Sequence, residues 1–259
     1  LGRSSAEIKR PDLSAPHFCD VIYIHLSALS SLLGEQPDTA SGLLDSILHH
    51  ELRYWRQAGQ PLGLERAEDC LAQAMLALTL CNGARTRADA RKLLKKMPRL
   101  GALTGDQRDR IIDVLHGFYP DGSGVDALRP DVLGERLVAR ELPRDDEPLD
   151  QLLGTESDDL TREAVLTVLN RLAMRQPGQI VWLKAALERH LVEVTRATVK
   201  VAIAAGQPIG NLFAEVMTKA SKPQQAQTAD RLLPLLPEQT EALAEVALLV
   251  AKLRLERLT

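Results

Sequence analysis

From Phe18 onward the chain repeats one pattern: stripes of leucine, alanine and valine at three- and four-residue spacing, each closed by a glycine, an asparagine or a proline. A stripe of that period lies on one side of a helix and must be covered by a neighbour, so the chain is committed to helices packed on helices. Composition agrees. Apolar residues make up 45% of the 259 positions but aromatics only 3%, so strand-forming runs are scarce and cores must be filled by aliphatic helix formers.

Pro11 and Pro16 bracket an extended entry. The first predicted helix spans 18–33, with Val21, Ile24, Leu26, Ala28, Leu29, Leu32 and Leu33 as its apolar face and Gly34 as its stop. Asp38 or Thr39 caps a second helix through Trp55, striped by Leu43, Leu44, Ile47, Leu48, Leu52 and Trp55. The short connection pairs the two antiparallel. After a break at Gly59–Gly63, helices are predicted over 65–80, 86–97 and 106–115, the first ended by Asn82-Gly83 and the second by Pro98.

Residues 117–124 hold the densest turn chemistry, flanked by β-compatible pieces at 117–119 and 125–128, the one credible hairpin. Pro130 then opens a helix over 131–140. Three helices, a hairpin and a closing helix describe a winged-helix-like unit at 64–140, preceded by a helical domain at 1–63. Residues 141–159 turn acidic and are broken by Pro143 and Pro148, which reads as a linker with a single turn near Leu149–Leu153. Helices resume at 160–174, 179–205 with a break near His190, 209–219, 224–235 and 238–255. Stacked helical hairpins of α-solenoid or tetratricopeptide-like shape are therefore expected over 160–259. The expected fold is mainly α.

Several function classes are disfavoured. The formal charge is −3 and the pI about 6.1, no whole-chain footprint for nucleic acid. No apolar run approaches the roughly 20 residues that span a bilayer. Residues 1–12 are polar, with no signal-peptide core and no initiator Met, so a fragment of a longer cytoplasmic protein is expected. Three cysteines, Cys19, Cys70 and Cys81, suit a reducing compartment better than a disulfide scaffold.

Catalytic signatures are missing: no phosphate-binding loop, no GxGxxG after a strand, no HExxH, CxxC or GxSxG. His49-His50-Glu51 is nearest to a metal motif, but adjacent helical residues point about 100° apart and cannot share one ion easily. His17, His25, His116 and His190 are scattered. Neither an enzyme nor a cofactor of its own is expected. The counter-signal is a basic run of Arg85, Arg87, Arg91, Lys92, Lys95, Lys96 and Arg99 around the fourth helix, with Asp89 the one acid among them. That helix reads as roughly the recognition position of a winged helix, which makes Arg87, Arg91, Lys92, Lys95 and Lys96 the candidate nucleic-acid contacts. A solvated face, or one docked on an acidic neighbour, is the competing reading.

Three stretches are familiar together: Phe18-Cys19-Asp20-Val21-Ile22-Tyr23-Ile24-His25-Leu26-Ser27-Ala28-Leu29; Leu44 to Trp55, with His50-Glu51 and Arg53-Tyr54-Trp55; and Leu128-Arg129-Pro130-Asp131-Val132-Leu133-Gly134-Glu135-Arg136-Leu137-Val138. Over about residues 11–140 they resemble the region that follows the nucleotide-binding core in actinobacterial STAND-type NTPases, the signal-transduction ATPases that include NB-ARC and NACHT proteins. The resemblance implies an order of parts: core, helical domain, winged helix, superhelical sensor. It implies that the winged helix folds over ADP until the sensor is engaged, after which ATP enters and the protein oligomerises. In that family a Met-His-Asp motif starts a winged-helix helix, its His near the β-phosphate. Arg129-Pro130-Asp131 is similar in place. Asp131 matches and Pro130 replaces the His, leaving Arg129 either as a charge-assisted phosphate contact or as a solvent-facing arginine.

The expected function is thus the regulatory, sensor and protein-interaction part of a STAND-like signalling NTPase. Its partners would be the missing N-terminal nucleotide-binding domain and proteins bound by the helical repeats, with ATP or ADP held only by the full-length protein. The alternatives are a winged-helix DNA-binding regulator with a helical dimerisation or ligand-sensing domain, and a helical-repeat scaffold.

Overall fold

A computed structural model describes residues 14–35, 37–143, 146–235 and 243–258. The fold is mainly α: fourteen α-helices and one two-stranded hairpin among the described residues. Packing groups these residues into two compact units. The first takes the chain up to Thr79, Gly83–Leu94 and Ala102–Arg140; the second takes Leu80–Asn82, Lys95–Gly101 and the chain from Glu141. The helical pair before residue 64 and most of 64–140 thus share one unit.

In the first unit a 3-10 turn, Pro16–Cys19, leads into α1, Val21–Leu33. The Asp20 carboxylate caps α1 by accepting from the Ile22 amide at 3.1 Å, and Gly34 ends it at φ 86°. Thr39 caps α2, Ala40–Gly59, by accepting from the Gly42 amide at 3.0 Å. The helix runs on past Trp55, and the whole predicted stripe of α2 is buried, Trp55 completely.

The predicted apolar face of α1 is a correction. Its buried residues are Leu26, Ser27, Ser30 and Ser31, while Val21, Ala28, Leu29 and Leu32 are exposed. Small hydroxyl side chains let α1 lie on α2, where the Ser30 and Ser46 hydroxyls share a buried hydrogen bond of 3.1 Å.

Helix α3, Ala67–Leu80, is followed by Asn82 and Gly83, both left-handed at φ 60° and 88°. This double reversal sets up Ala84, which exchanges two backbone hydrogen bonds of 2.8 Å with Val125. Helix α4 (Arg87–Lys96), the single turn α5 (Pro98–Gly101) and α6 (Gly105–Phe118) follow. Thr104 and Gln107 form a capping box at the start of α6.

The hairpin exists, but not with the predicted strands. Its strands are β1, Pro120–Asp121, and β2, Gly124–Val125. Helix α6 runs through Phe118, and that leaves only the Pro120–Val125 segment to pair. Gly124 passes so close to Ala84 that a Cβ there would lie 1.8 Å from the Ala84 carbonyl oxygen. Helix α7, Asp131–Glu141, closes the unit and is tied to α2 by a two-pronged Arg136–Asp45 ion pair at 2.5–2.6 Å.

In the second unit the acidic stretch predicted as a linker folds instead into α8, Glu147–Leu153, with Leu149, Leu152 and Leu153 fully buried. Arg162, itself buried, donates to the Leu153 and Gly154 carbonyls at 3.1 and 2.7 Å and so satisfies the end of α8. Then come α9 (Asp159–Arg175), α10 (Ile180–Arg189), α11 (Thr195–Ala205), α12 (Ile209–Lys219), α13 (Lys222–Leu232) and α14 (Ala244–Leu258). The predicted break near His190 is real. Residues 238–242 of the last predicted helix lie outside the described residues.

Helices two apart in sequence pack on each other. One row is α9, α11 and α13; the other is α8, α10, α12 and α14. Such alternation makes a two-row helical stack, in which each helix is covered by sequence-near neighbours. Buried polar groups join the rows: Asn170 Oδ1 accepts from the Ile209 amide at 3.1 Å, and Gln225 Nε2 donates to the Met217 and Thr218 carbonyls at 3.1 and 3.0 Å.

Candidate functional site

The basic run resolves into separate environments. Arg87 forks onto Asp113, with one arm at 2.9 Å, and Arg91 forks onto Asp109 at 2.5 and 2.7 Å. These pairings keep both guanidinium pKa values raised, and the Arg91 guanidinium holds the Asp109 carboxyl below the usual carboxylate range. Lys96 donates to the Glu156 carbonyl at 3.2 Å. Lys92 and Lys95 are exposed.

The helix leading directly into the hairpin is α6, the third full helix of this set, not α4. That helix carries Asp106, Asp109 and Asp113 against Arg108 and Arg110. Two of the five candidate nucleic-acid contacts are spent neutralising that acidic helix.

Arg129 sits just before α7, with about half of its side chain exposed. It pairs with Asp131 and lies 3.7 Å from Asp126. An incoming phosphate would have to displace carboxylates that already occupy the guanidinium. The histidine pair diverges as helical geometry requires: His49 is exposed, while His50 is buried against Arg53 and lies 3.3 Å from Glu35. Among the described residues no three histidine, cysteine or carboxylate groups form a cluster able to hold a metal ion.

A polar network absent from the sequence reading centres on Tyr119. Trp55 Nε1 donates to its hydroxyl at 2.9 Å, and the hydroxyl donates to Glu51. Burial, then the Glu51 charge, push the Tyr119 phenol far above its ordinary pKa, so it stays a donor. The available signal was Glu51 and Trp55 at i and i+4, one helical face.

The remaining feature is the outward side of α1. Val21, His25, Ala28 and Leu32 recur at helical spacing with Leu29 beside them, all exposed; Val21 is 61% accessible. The inward side is the serine face described above. Helix α1 thus buries serines and presents a valine and leucines to solvent. The signal that could have found this face was the polar spacing Ser27, Ser30, Ser31 at i, i+3 and i+4.

No helix of the described residues is long and apolar enough to cross a membrane. Comparison with protein-family models, curated proteins and solved structures returns no match for this chain.

Proposed function

We propose that this chain is the regulatory and protein-interaction part of a STAND-like signalling NTPase in the cytoplasm, working by docking and not by catalysis of its own. The observation that carries the reading is α1: its apolar residues face out and its serines face in, which supports a cover supplied by another folded body. In this reading the cover is a nucleotide-binding core preceding the chain. Arg129 is the residue offered to a nucleotide phosphate, released from Asp126 and Asp131 as the parts close. The two-row helical stack is the sensor, and the assembled protein oligomerises when it is engaged.

The test uses the complete gene product. Val21→Asp with Leu29→Asp changes two exposed positions of α1, so the fold is preserved while the docking face is spoiled. Release of a fluorescent ADP analogue should speed up at least tenfold. Unchanged release, or a gene with no phosphate-binding loop, would end the proposal and leave a helical scaffold. The DNA-binding alternative gains nothing from the geometry, because Arg87 and Arg91 are committed to α6.

A further inference from the structure

Helix α14 has two apolar sides. Leu243 just before it, with Val246, Val250 and Leu253, is buried in the stack against α12 and α13. On the opposite side Ala244, Leu248, Ala251 and Leu255 follow one another at spacings of four, three and four, all exposed, Leu248 at 59% and Leu255 at 65%. That spacing is an a/d seam on a helix already held rigid by its other face. Glu245 and Lys252 are seven residues apart, so both flank the seam on the same side. Among the described residues neither makes an ion pair within the chain.

We propose that this seam is a homodimer contact, in which α14 of one copy lies antiparallel on α14 of a second. Size and charge select this arrangement. With Leu248 opposite Ala251 of the partner subunit, Leu255 falls opposite Ala244 of the partner subunit, so every layer sets a large side chain against a small one. A two-fold axis brings like flanks together in an antiparallel pair. Glu245 therefore meets Lys252 of the partner subunit, and symmetry repeats the pair. A parallel pair would stack leucine on leucine and alanine on alanine, leaving gaps at two layers, and would not join Glu245 to Lys252. The inference uses only the second unit and stands apart from the reading of α1.

The seam is short, so the dimer is weak, with a Kd on the order of tens of micromolar. Sedimentation equilibrium of the full chain from micromolar to several hundred micromolar should show a reversible monomer–dimer equilibrium. Leu248→Glu should leave only monomer over that range. Lys252→Glu, which sets two like-charged pairs across the seam, should weaken the dimer about tenfold. Adding Glu245→Lys to it should restore the Kd to within about threefold, because the pairs re-form with signs exchanged. All three positions are exposed, and unchanged circular dichroism verifies folding. Monomer at every concentration, a dimer indifferent to Leu248→Glu, or failure of the double exchange to rescue would each overturn the proposal.

Discussion

Trp55 in α2 and Tyr119 at the end of α6 are joined twice: the indole Nε1–H donates to the phenol oxygen at 2.9 Å, and the rings meet edge-on at 81° with centroids 6.4 Å apart. Because the phenol also donates to Glu51, one hydroxyl serves both a buried donor and a carboxylate. Tyr119→Phe removes that hydroxyl and strands the Trp55 N–H in the interior. The expected loss is about 1–3 kcal/mol in urea unfolding followed by tryptophan fluorescence, against near-neutrality for the exposed Tyr54→Phe.

Gly124→Ala should be more damaging than its single methyl suggests. The added carbon would collide with the Ala84 carbonyl oxygen, which can retreat only by giving up the hydrogen bond it accepts from the Val125 amide. A cost of about 3 kcal/mol is expected. The same change at Gly178, where nothing lies within 4 Å, is the control and should leave the melting temperature nearly unchanged.

Acidification should reveal the Lys184–Glu215–Lys219 cluster. Hydrogen bonds from Lys184, then Lys219, lower the Glu215 carboxyl from 4.5 to about 2. The folded-state value is depressed, so the favourable interaction is complete above pH 4.5 and is lost as pH falls towards 2. Carbon-detected NMR should give a Glu215 midpoint near 2, moving back towards 4.5 in Lys184→Ala.

Thiol labelling should separate the cysteines. Cys19 is exposed, while burial pushes the Cys81 thiol up to about 12. With a maleimide at pH 7.5, Cys19 should react within minutes and the half-buried Cys81 far more slowly, as read by mass spectrometry.

Nucleic-acid binding should be weak and indiscriminate. Fluorescence anisotropy with duplex DNA at 150 mM salt should show no specific complex. Asp109→Asn with Asp113→Asn, which frees Arg91 and Arg87, should raise whatever background exists and steepen its salt dependence.

Some helix ends are legible from stop chemistry, although α6 runs on through Gly117 to Phe118. Gly34 and Asn82-Gly83 end helices as expected, and the 209–219 helix matches at both ends. What escaped reading depended on partners. Hydrophobic periodicity marks a stripe without saying whether a neighbour covers it, so it points to the wrong inner face for α1. Leu149, Leu152 and Leu153 looked like one turn in an acidic linker because their cover, α9, comes later in the chain. Ala84 joins the hairpin as a single residue, too short to leave a pattern. The Arg87–Asp113 and Arg91–Asp109 pairs bridge 26 and 18 positions, beyond any local spacing rule.

The serine face of α1 also sets how firmly that helix is held. Leu26 is its one buried large aliphatic side chain, so lifting α1 off α2 uncovers little hydrocarbon compared with opening α2 itself. Its amides should trade protons with solvent through a local excursion well below the cost of global unfolding, while those around Trp55 wait for the whole unit to open. A body that seats on Val21, Leu29 and Leu32 would clamp α1 between two surfaces, and its arrival would register as slowed deuterium uptake in that one helix.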